Sequence, residues 1–453
     1  MGTFDLNLIS RRDCFSRGLI PVLAFAGSKP SQSQGWPLPA QTKRCIFIFL
    51  FGGPSHIDLF DMKPRAVREI RGDFNPSATA VPGIQICEHL PRLAKEMKSI
   101  CLVRSMCHRM NVHGPACSEI YSGREYFGPP VTDQARREDW PSLASLVARF
   151  KSPPNRMPVS VVLPWYSQFV GQDKRIAGQT GGRMGEKFNP LLIQAEPELP
   201  GFDLPDFRLN PDIGPGRMAG RKTLLLELQK GQARGRNAQF TDMAWDLMEN
   251  PGFSKAIDLR SIPAKLREKY GMTRFGQSLL MAAQLVQAGV SLVTVNWDDE
   301  SRKEKVSPHW DTHNQNFQRL KNPLCPLFDQ SFPTLIEDLR ERGLLDSTLV
   351  VAVGEFGRTP KIGQFTQNSM TENSGRDHWP HAFTALLAGG PAPRGAVYGA
   401  TNDQGAYVKD LPVSPADLSA TVMKHLGVNP HWEYHDQFQN MSQFLCEGNA
   451  IQF

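Results

Sequence analysis

Seven of the eleven histidines occur in four short stretches that also carry carboxylates, which makes these stretches the first candidates for chemistry. Each stretch follows or precedes a short apolar run. Imidazoles mixed with carboxylates are typical ligands of zinc and manganese, and carboxylate-rich subsets suit calcium. The four stretches carry His56 with Asp58, then His108 with His113, then His309 with Asp311 and His313, and last Asp377 with His378 and His381. They predict a divalent-metal site whose ion could be zinc, calcium or manganese.

A fifth stretch, "VVAVGEFGRTP", places Glu355 and Arg358 directly after another apolar run. Glu355 could be a further metal ligand or the anchor of an ion pair. Arg358 offers a planar fork of N–H donors that suits an anionic group, so we expect it to hold the charged part of a substrate. Structural roles are the alternative, with Asp58 as a helix cap and His381 as a buried core histidine.

The elements that must position these residues are short strands alternating with amphipathic helices. Runs too short for helices and apolar on every residue are typical of strands buried on both faces of a parallel sheet. The strand runs are 46–51, 100–103, 159–163, 290–297, 348–353 and 383–389, and helical periodicity covers 89–97, 141–150, 275–289, 331–343 and 414–427. The pattern predicts an α/β fold with a mostly parallel central sheet and helices on both faces. Ligands of such sheets bind at the carboxyl ends of the strands, where the histidine stretches fall.

The amino-terminal segment resembles a twin-arginine export signal. Arg11 and Arg12 precede a mildly apolar stretch that ends in the small-x-small pattern Ala24-Phe25-Ala26. We expect residues 1–26 to be the signal, 27–42 a Ser/Gln/Pro-rich linker and 43–453 the α/β domain, with a helical insertion at about 219–275. The protein is then expected to be exported to the periplasm or the extracellular space.

Composition excludes several classes of function. The net charge is +6, but the lysines and arginines are scattered among acidic residues, so no nucleic-acid-binding surface is expected. The mature chain contains no apolar segment of the roughly eighteen residues needed to span a bilayer. The modest positive charge could still attract anionic substrates.

Six motifs in consistent order resemble the exported domain-of-unknown-function family 1501, which is grouped with sulfatases in the alkaline phosphatase superfamily. They are the twin-arginine leader, "FLFGGPSHIDLFDMKP", "VHGPACSEIYSGR", "HWDTHNQNF", "VAVGEFGRTP" and "GRDHWPHAFTALLAGG". The resemblance implies a sulfatase-like sheet with metal ligands at several strand ends and a nucleophile at a helix start. Where sulfatases place a modified cysteine, this chain has His113, and Cys117 stands where they have an arginine. A formylglycine nucleophile is therefore not expected.

Together these features predict an exported metal-dependent hydrolase of a sulfate or phosphate ester, with a sulfated or phosphorylated glycan as one substrate class. The expected metal ligands are His56, Asp58, Asp311, His313, Glu355, His378 and His381. His113 and Arg358 are expected to be catalytic, with His113 acting as a ligand, a general base or a nucleophile. The alternative is a non-catalytic exported binding protein that retains the sulfatase-like fold.

Overall fold

The computed structural model describes residues 42–126, 128, 135–152, 154–169, 175–207, 213–230, 238–304, 306–366, 371–436 and 438–453. The expected export signal, 1–26, and all of the expected linker but its last residue lie outside the described residues. No helix in the described ranges is long and apolar enough to cross a membrane.

Strands and helices alternate along most of the described chain. The strands are β1 (Arg44–Phe49), β2 (Pro76–Ala78), β3 (Gln85–Cys87), β4 (Ile100–Met106), β5 (Ser160–Leu163), β6 (Leu191–Leu192), β7 (Leu292–Asn296), β8 (Thr348–Val353), β9 (Gly357–Arg358), β10 (His378–Trp379), β11 (Phe383–Ala388), β12 (Ala396–Tyr398), β13 (Ala400–Thr401), β14 (Val408–Asp410), β15 (Glu433–Asp436) and β16 (Met441–Phe444). The helices are α1 (His56–Leu59), α2 (Arg68–Arg71), α3 (Pro91–Glu96), α4 (His113–Ser122), α5 (Leu143–Phe150), α6 (Pro215–Lys230), α7 (Ala238–Met248), α8 (Pro251–Ile257), α9 (Ala264–Tyr270), α10 (Arg274–Ala288), α11 (Asn316–Arg319), α12 (Cys325–Glu341) and α13 (Pro415–His425).

Eight strands form one sheet in the order β12-β4-β11-β8-β1-β7-β5-β6. Pairing is parallel throughout except at β11, which runs antiparallel to both of its neighbours, β4 and β8. Because β11 runs against the others, its amino end lies at the edge where the other strands have their carboxyl ends. The residues before β11 therefore reach the same edge as the residues that follow β1, β4, β7 and β8.

The sheet separates two hydrophobic layers. On β1, Ile46 and Ile48 pack into a layer with residues of α10 and α12, while Phe47 and Phe49 pack into the opposite layer with residues of α4, α5 and α13. Burial on both faces explains why β1 is apolar at nearly every position. The structure confirms the predicted α/β class, the mostly parallel sheet and the helices on both faces.

The segment predicted as a helical insertion contains α6 to α9, which run from Pro215 to Tyr270. Two short strands at the borders of the main sheet, β6 and β12, had no counterpart among the predicted strands. Each has only two or three residues. Runs of that length carry too little alternation to be separated from loop sequence.

The turn after β1 requires its two glycines. Gly52 has a φ of +108° and Gly53 a φ of +73°, a backbone region that L side chains rarely adopt. A Cβ on Gly52 would lie 2.3 Å from the backbone nitrogen of Asp311. The absence of a side chain thus lets the β1 turn touch the chain that carries Asp311.

We predict that Gly52→Ala lowers the free energy of unfolding by about 3 kcal/mol, because a strained φ and a collision with rigid backbone add together. Gly83→Ala is the matched control, since Gly83 has a φ of +84° but nothing within 4 Å of the added Cβ. The control should lose only about 1 kcal/mol. Urea unfolding of both variants measures the difference, and equal losses would show that the contact with Asp311 does not matter.

Candidate metal centre

Four side chains from one loop, one helix start and one strand start converge at the carboxyl edge of the sheet. Asp311 and His313 lie in the loop after β7, His113 is the first residue of α4, and His378 begins β10, shortly before β11. One ligand atom from each of the four lies within 4.8 Å of those of the others, so the group could hold a metal ion. The structure thus brings together four of the residues singled out from sequence.

Asp311 is the centre of this group. Its Oδ2 lies 3.1 Å from Nε2 of His113, and its Oδ1 lies 3.0 Å from Nε2 of His313 and 3.2 Å from Nε2 of His378. His313 and His378 are buried, and the His113 side chain is only 14% exposed. Three imidazole nitrogens and a carboxylate that share one buried point form a donor set typical of zinc and manganese.

The far nitrogen of each ring is held by an outer partner. Nδ1 of His113 lies 2.6 Å from Oε1 of Glu355, and Nδ1 of His378 donates to the carbonyl oxygen of Asn111 at 2.7 Å. Nδ1 of His313 is hydrogen-bonded to Oγ1 of Thr371 at 2.9 Å. Metal-binding histidines usually have such partners, which fix the ring and its tautomer. All three rings are therefore oriented with Nε2 towards Asp311.

Two of the three Nε2 atoms lack a hydrogen bond of suitable geometry to a described residue. Nε2 of His113 and Nε2 of His313 are buried and have no hydrogen-bond partner in the described part of the chain. Since Nδ1 of His378 faces a carbonyl oxygen, it carries the proton, and the lone pair of Nε2 faces Oδ1 of Asp311. Acceptors that face each other in a buried site repel unless a cation lies between them. The arrangement fits a divalent ion.

The charges of the site also favour a cation. Burial lowers the pKa of His113, but the nearby carboxylates of Asp311 and Glu355 raise it to about 9. Burial raises the pKa of Asp311, whereas His113, Arg358 and His313 hold it well below its usual range. Burial and the nearby charge of His113 lower the pKa of His378, so that ring is in the neutral form that metal ligands have.

Arg358 does not have the role predicted from sequence, because its guanidinium is fully buried and already bonded. Nη2 donates to Oδ1 of Asp311 at 2.5 Å and to the carbonyl oxygen of Gly52. Nε donates to the carbonyl oxygen of Gly53 at 2.9 Å, and Nη1 donates to the carbonyl oxygen of Arg376 at 3.2 Å. Four of its five N–H donors are therefore engaged within the protein, and the side chain is fully buried. Arg358 is a positioning residue that ties Asp311 to the turn after β1.

Glu355 lies behind His113 rather than among the four converging ligands. Its carboxylate accepts from Nδ1 of His113 and from the backbone nitrogen of Gly52, at 2.9 Å for Oε1 and 3.1 Å for Oε2. Cys117 is hydrogen-bonded to the same carboxylate, and burial and Glu355 raise the pKa of its thiol well above the usual value. Glu355 therefore orients a ligand, and Cys117 is not poised as a thiolate nucleophile.

Asp58 lies in a buried ion pair instead of the metal group. Arg376 donates from Nε to Oδ2 at 2.8 Å and from Nη2 to Oδ1 at 2.9 Å. Ser55 Oγ at 2.6 Å and Asn316 Nδ2 at 2.9 Å also donate to Oδ2. With both oxygens engaged, Asp58 holds α1 to the chain that leads into β10.

Two predicted histidine ligands also lie outside the converging group. His56 is fully buried, and its Nε2 donates to the carbonyl oxygen of Gly405 at 2.7 Å. His381 is exposed and packs its ring beside Trp379 and Tyr407, with centroids 4.9 and 5.5 Å away. Neither is in the group of side chains that could share an ion.

Several residues that support the site were not singled out from the sequence. Arg376 stands directly before Asp377 in "GRDHWPH", so an arginine within a histidine-rich motif was an available signal for the partner of Asp58. Thr371 and the carbonyl of Asn111 carried no such signal, because a hydroxyl or a backbone oxygen becomes an outer partner only through the fold. Phe51 stacks on His113 at 5.3 Å and was assigned only to the strand.

The family model described as "Protein of unknown function (DUF1501)" matches residues 42–452. The chain belongs to the DUF1501 family. This confirms the resemblance carried by the sequence motifs. No curated protein matches this DUF1501 chain.

Similar solved structures include phosphate, phosphonate and sulfate ester hydrolases. A phosphonate monoester hydrolase from Silicibacter pomeroyi has 12% identity over 91% of this chain and 76% of its own, with a TM-score of 0.40. Alkaline phosphatase from the Antarctic bacterium TAB5 has 12% identity over 86% of this chain and 99% of its own, with a TM-score of 0.37. The PsFucS1 sulfatase from Pseudoalteromonas sp. has 11% identity over 86% of this chain and 68% of its own, with a TM-score of 0.35. These likenesses are too low to assign an activity.

We predict that Asp58→Asn destabilises the protein by about 3–5 kcal/mol, because it breaks a buried ion pair and leaves Arg376 unpaired. The same variant should keep its metal content when folded, because Asp58 is not among the four converging side chains. Urea unfolding and elemental analysis of the folded fraction test the two statements separately. Loss of the ion from folded Asp58→Asn would restore Asp58 as a ligand.

Glu355→Gln is expected to weaken metal binding roughly 10- to 100-fold, as for other outer-shell partners of metal-binding histidines. The substitution keeps the shape but removes the charge that orients His113. A competition titration with a chromophoric chelator gives the affinity. Glu372→Gln is the control, since Glu372 is exposed and follows Thr371 without joining the group. Equal affinities in the two variants would remove Glu355 from the support of the site.

Proposed function

We propose that this protein is an exported metal-dependent hydrolase that cleaves a sulfate or phosphate ester without a cysteine-derived nucleophile. The observation that carries the proposal is the convergence of three histidine Nε2 atoms on the carboxylate of Asp311, with the nitrogens of His113 and His313 left without hydrogen-bond partners within the described ranges. A divalent ion in such a site supplies Lewis-acid polarisation of an ester oxygen and lowers the pKa of water.

The side chains around the ion site have separable roles in this proposal. His113, His313, His378 and Asp311 would hold the ion. Arg358 neutralises Asp311 and fixes its orientation, and Glu355 does the same for His113. Burial of these groups excludes bulk water and strengthens each electrostatic interaction.

The attacking group in this proposal is water. Cys117, in the first half of α4, is buried with a strongly raised pKa, so it does not supply a thiolate. His113 has Nδ1 engaged by Glu355 and Nε2 directed at Asp311, which favours the ligand role among the three that the sequence left open. Ser55 is buried and donates its hydroxyl hydrogen to Asp58, so it is not available either.

One observation favours the alternative of a non-catalytic binding protein. Asp311 and backbone carbonyls engage four of the five N–H donors of Arg358, and its side chain is fully buried, so it is poorly placed to hold an anionic ester at the metal group. A chain that kept the ion site for stability alone would need no such donor. Activity measurements separate the two functions, as set out below.

Export is part of the proposal on sequence grounds alone. Arg11 and Arg12, followed by an apolar stretch and a small-x-small site, support a twin-arginine signal and a periplasmic or extracellular location. The substrate would then be met outside the cytoplasm.

We predict that the purified protein contains a tightly bound divalent ion and that His313→Ala and Asp311→Ala each lose it. Removing one of four ligands leaves an incomplete coordination sphere around the site. His381→Ala is the matched control, because His381 is an exposed histidine outside the group. Elemental analysis by mass spectrometry identifies the ion and its stoichiometry. A wild-type protein without any bound ion, and unable to take one up, would contradict the proposal.

The same variants, assayed on aryl sulfate and aryl phosphate esters, test catalysis. Wild type and His381→Ala should turn over one of the two ester classes, and Asp311→Ala should lose activity by at least about 100-fold, as expected for loss of a group that organises the reaction centre. Equal activity in wild type and Asp311→Ala would exclude this centre. A metal-loaded protein with no ester hydrolysis would favour the binding-protein alternative.

A further inference from the structure

A large cavity opens at the same sheet edge, next to the metal group and outside it. Its volume is about 1390 Å³. Its walls come from the segment after β5, from the segment after β6 and from the residues that follow β7. These strands follow one another on one side of β1, and the loop after β7 also carries Asp311 and His313, so the cavity and the metal group adjoin each other at one edge.

Two aromatic side chains form the boundary between the cavity and the metal group. Phe51 lines the cavity and stacks on the ring of His113 at 5.3 Å. Phe169 also lines it and meets His113 edge-on at 6.4 Å. His309 lines the cavity too and lies two residues before Asp311. The cavity thus adjoins His113 on the other side of Phe51 and Phe169.

The size of the cavity indicates what it can take. Pockets for drug-sized ligands are roughly 300–1,000 Å³, so this one exceeds what a simple aryl ester or a single sugar ester would fill. The lining also mixes aromatic side chains with hydroxyl and amide groups, including Ser167, Gln168, Gln194 and Asn296. Such a mixture suits a ligand with many hydroxyl groups and apolar C–H faces, which is the chemistry of an oligosaccharide.

The acidic side chains of the lining are already paired with arginines. Asp298 and Glu196 are ion-paired with Arg274 at 2.9 and 2.8 Å. Asp203 is ion-paired with Arg260 at 3.2 Å. Arg274 also pairs with Glu198, so one guanidinium serves three carboxylates and their negative charge is compensated only in part before a ligand enters.

Three basic side chains line the same cavity. The guanidinium of Arg302 lies 4.7 Å from the ring centre of Trp165, and that of Arg175 lies 5.0 Å from the ring centre of Tyr166. Cation–π contacts themselves use none of the N–H donors of a guanidinium. One Nη of Arg302 also lies 3.6 Å from the carboxylate of Asp298, and Arg175 is hydrogen-bonded to Tyr166, so each arginine keeps only part of its donors for a ligand. Lys303 is exposed at the cavity. The cavity thus offers donors to anionic groups that lie away from the metal group.

We propose that this cavity binds the non-reacting part of the substrate and that this part is an oligosaccharide with further sulfate or phosphate groups. The inference rests on the proposed function, because it assigns the ester to the metal group and the rest of the molecule to the cavity. Arg302, Arg175 and Lys303 recognise the additional anionic groups. The substrate is then a multiply charged saccharide rather than a small monoester.

The test uses the metal-loaded protein on an array of sulfated and phosphorylated oligosaccharides printed beside their uncharged parent saccharides. We expect charged oligosaccharides to bind and the parents to bind at least roughly tenfold more weakly. For the best-bound oligosaccharide, titration calorimetry then compares two charge reversals. Lys303→Glu should weaken binding by roughly tenfold or more, and Lys409→Glu, an exposed position on β14, should change it less than about twofold.

Every outcome of these measurements either supports or overturns the inference. Binding confined to charged oligosaccharides, with the stated difference between Lys303→Glu and Lys409→Glu, supports the inference. It is overturned if no charged oligosaccharide binds, if parents bind equally well, or if both charge reversals have the same effect. Hydrolysis of aryl esters by the wild-type protein is measured separately, so loss of the proposed function would appear there while saccharide binding is still read from the array.

Discussion

The desolvated negative charge of Asp311 is the constraint on which the rest of the site depends. A carboxylate this deeply buried is stable only when cations and donors surround it. Arg358 supplies one such contact and at the same time binds the carbonyls of Gly52 and Gly53, so the turn after β1 and the loop after β7 are held by one guanidinium. Three imidazoles complete the surroundings.

The carboxyl edge of the sheet has two neighbourhoods with different chemistry. One is the metal group, whose buried histidines and carboxylate are directed at each other. The other is the cavity, which is lined by arginines and aromatic rings. Phe51 belongs to both, since it follows β1 directly and touches His113 while lining the cavity. Reaction and recognition can therefore be assigned to separate residues.

Much of the fold could be predicted because strands buried on both faces, such as β1 and β8, are apolar at nearly every position. The site could be predicted as far as its residue types, since His113, Asp311, His313 and His378 all stand out as chemistry-bearing residues near strand ends. The sequence could not show which chemistry-bearing residues are metal ligands and which ones hold the ligands in place. Asp58 and Asp311 look alike in sequence, and only the packing of Arg376 against one and of Arg358 against the other separates them.

The antiparallel strand β11 has a consequence for assembly. His378 enters the group from β10, shortly before β11, and Glu355 meets a histidine 242 residues earlier in the chain. Contacts of such long sequence separation form late in folding, because a large loop must close before they are gained. A partly folded chain would have no coordination sphere, and an ion bound only by the native state would stabilise the whole sheet by mass action. The ion would thus bind only to a chain that has reached its native topology.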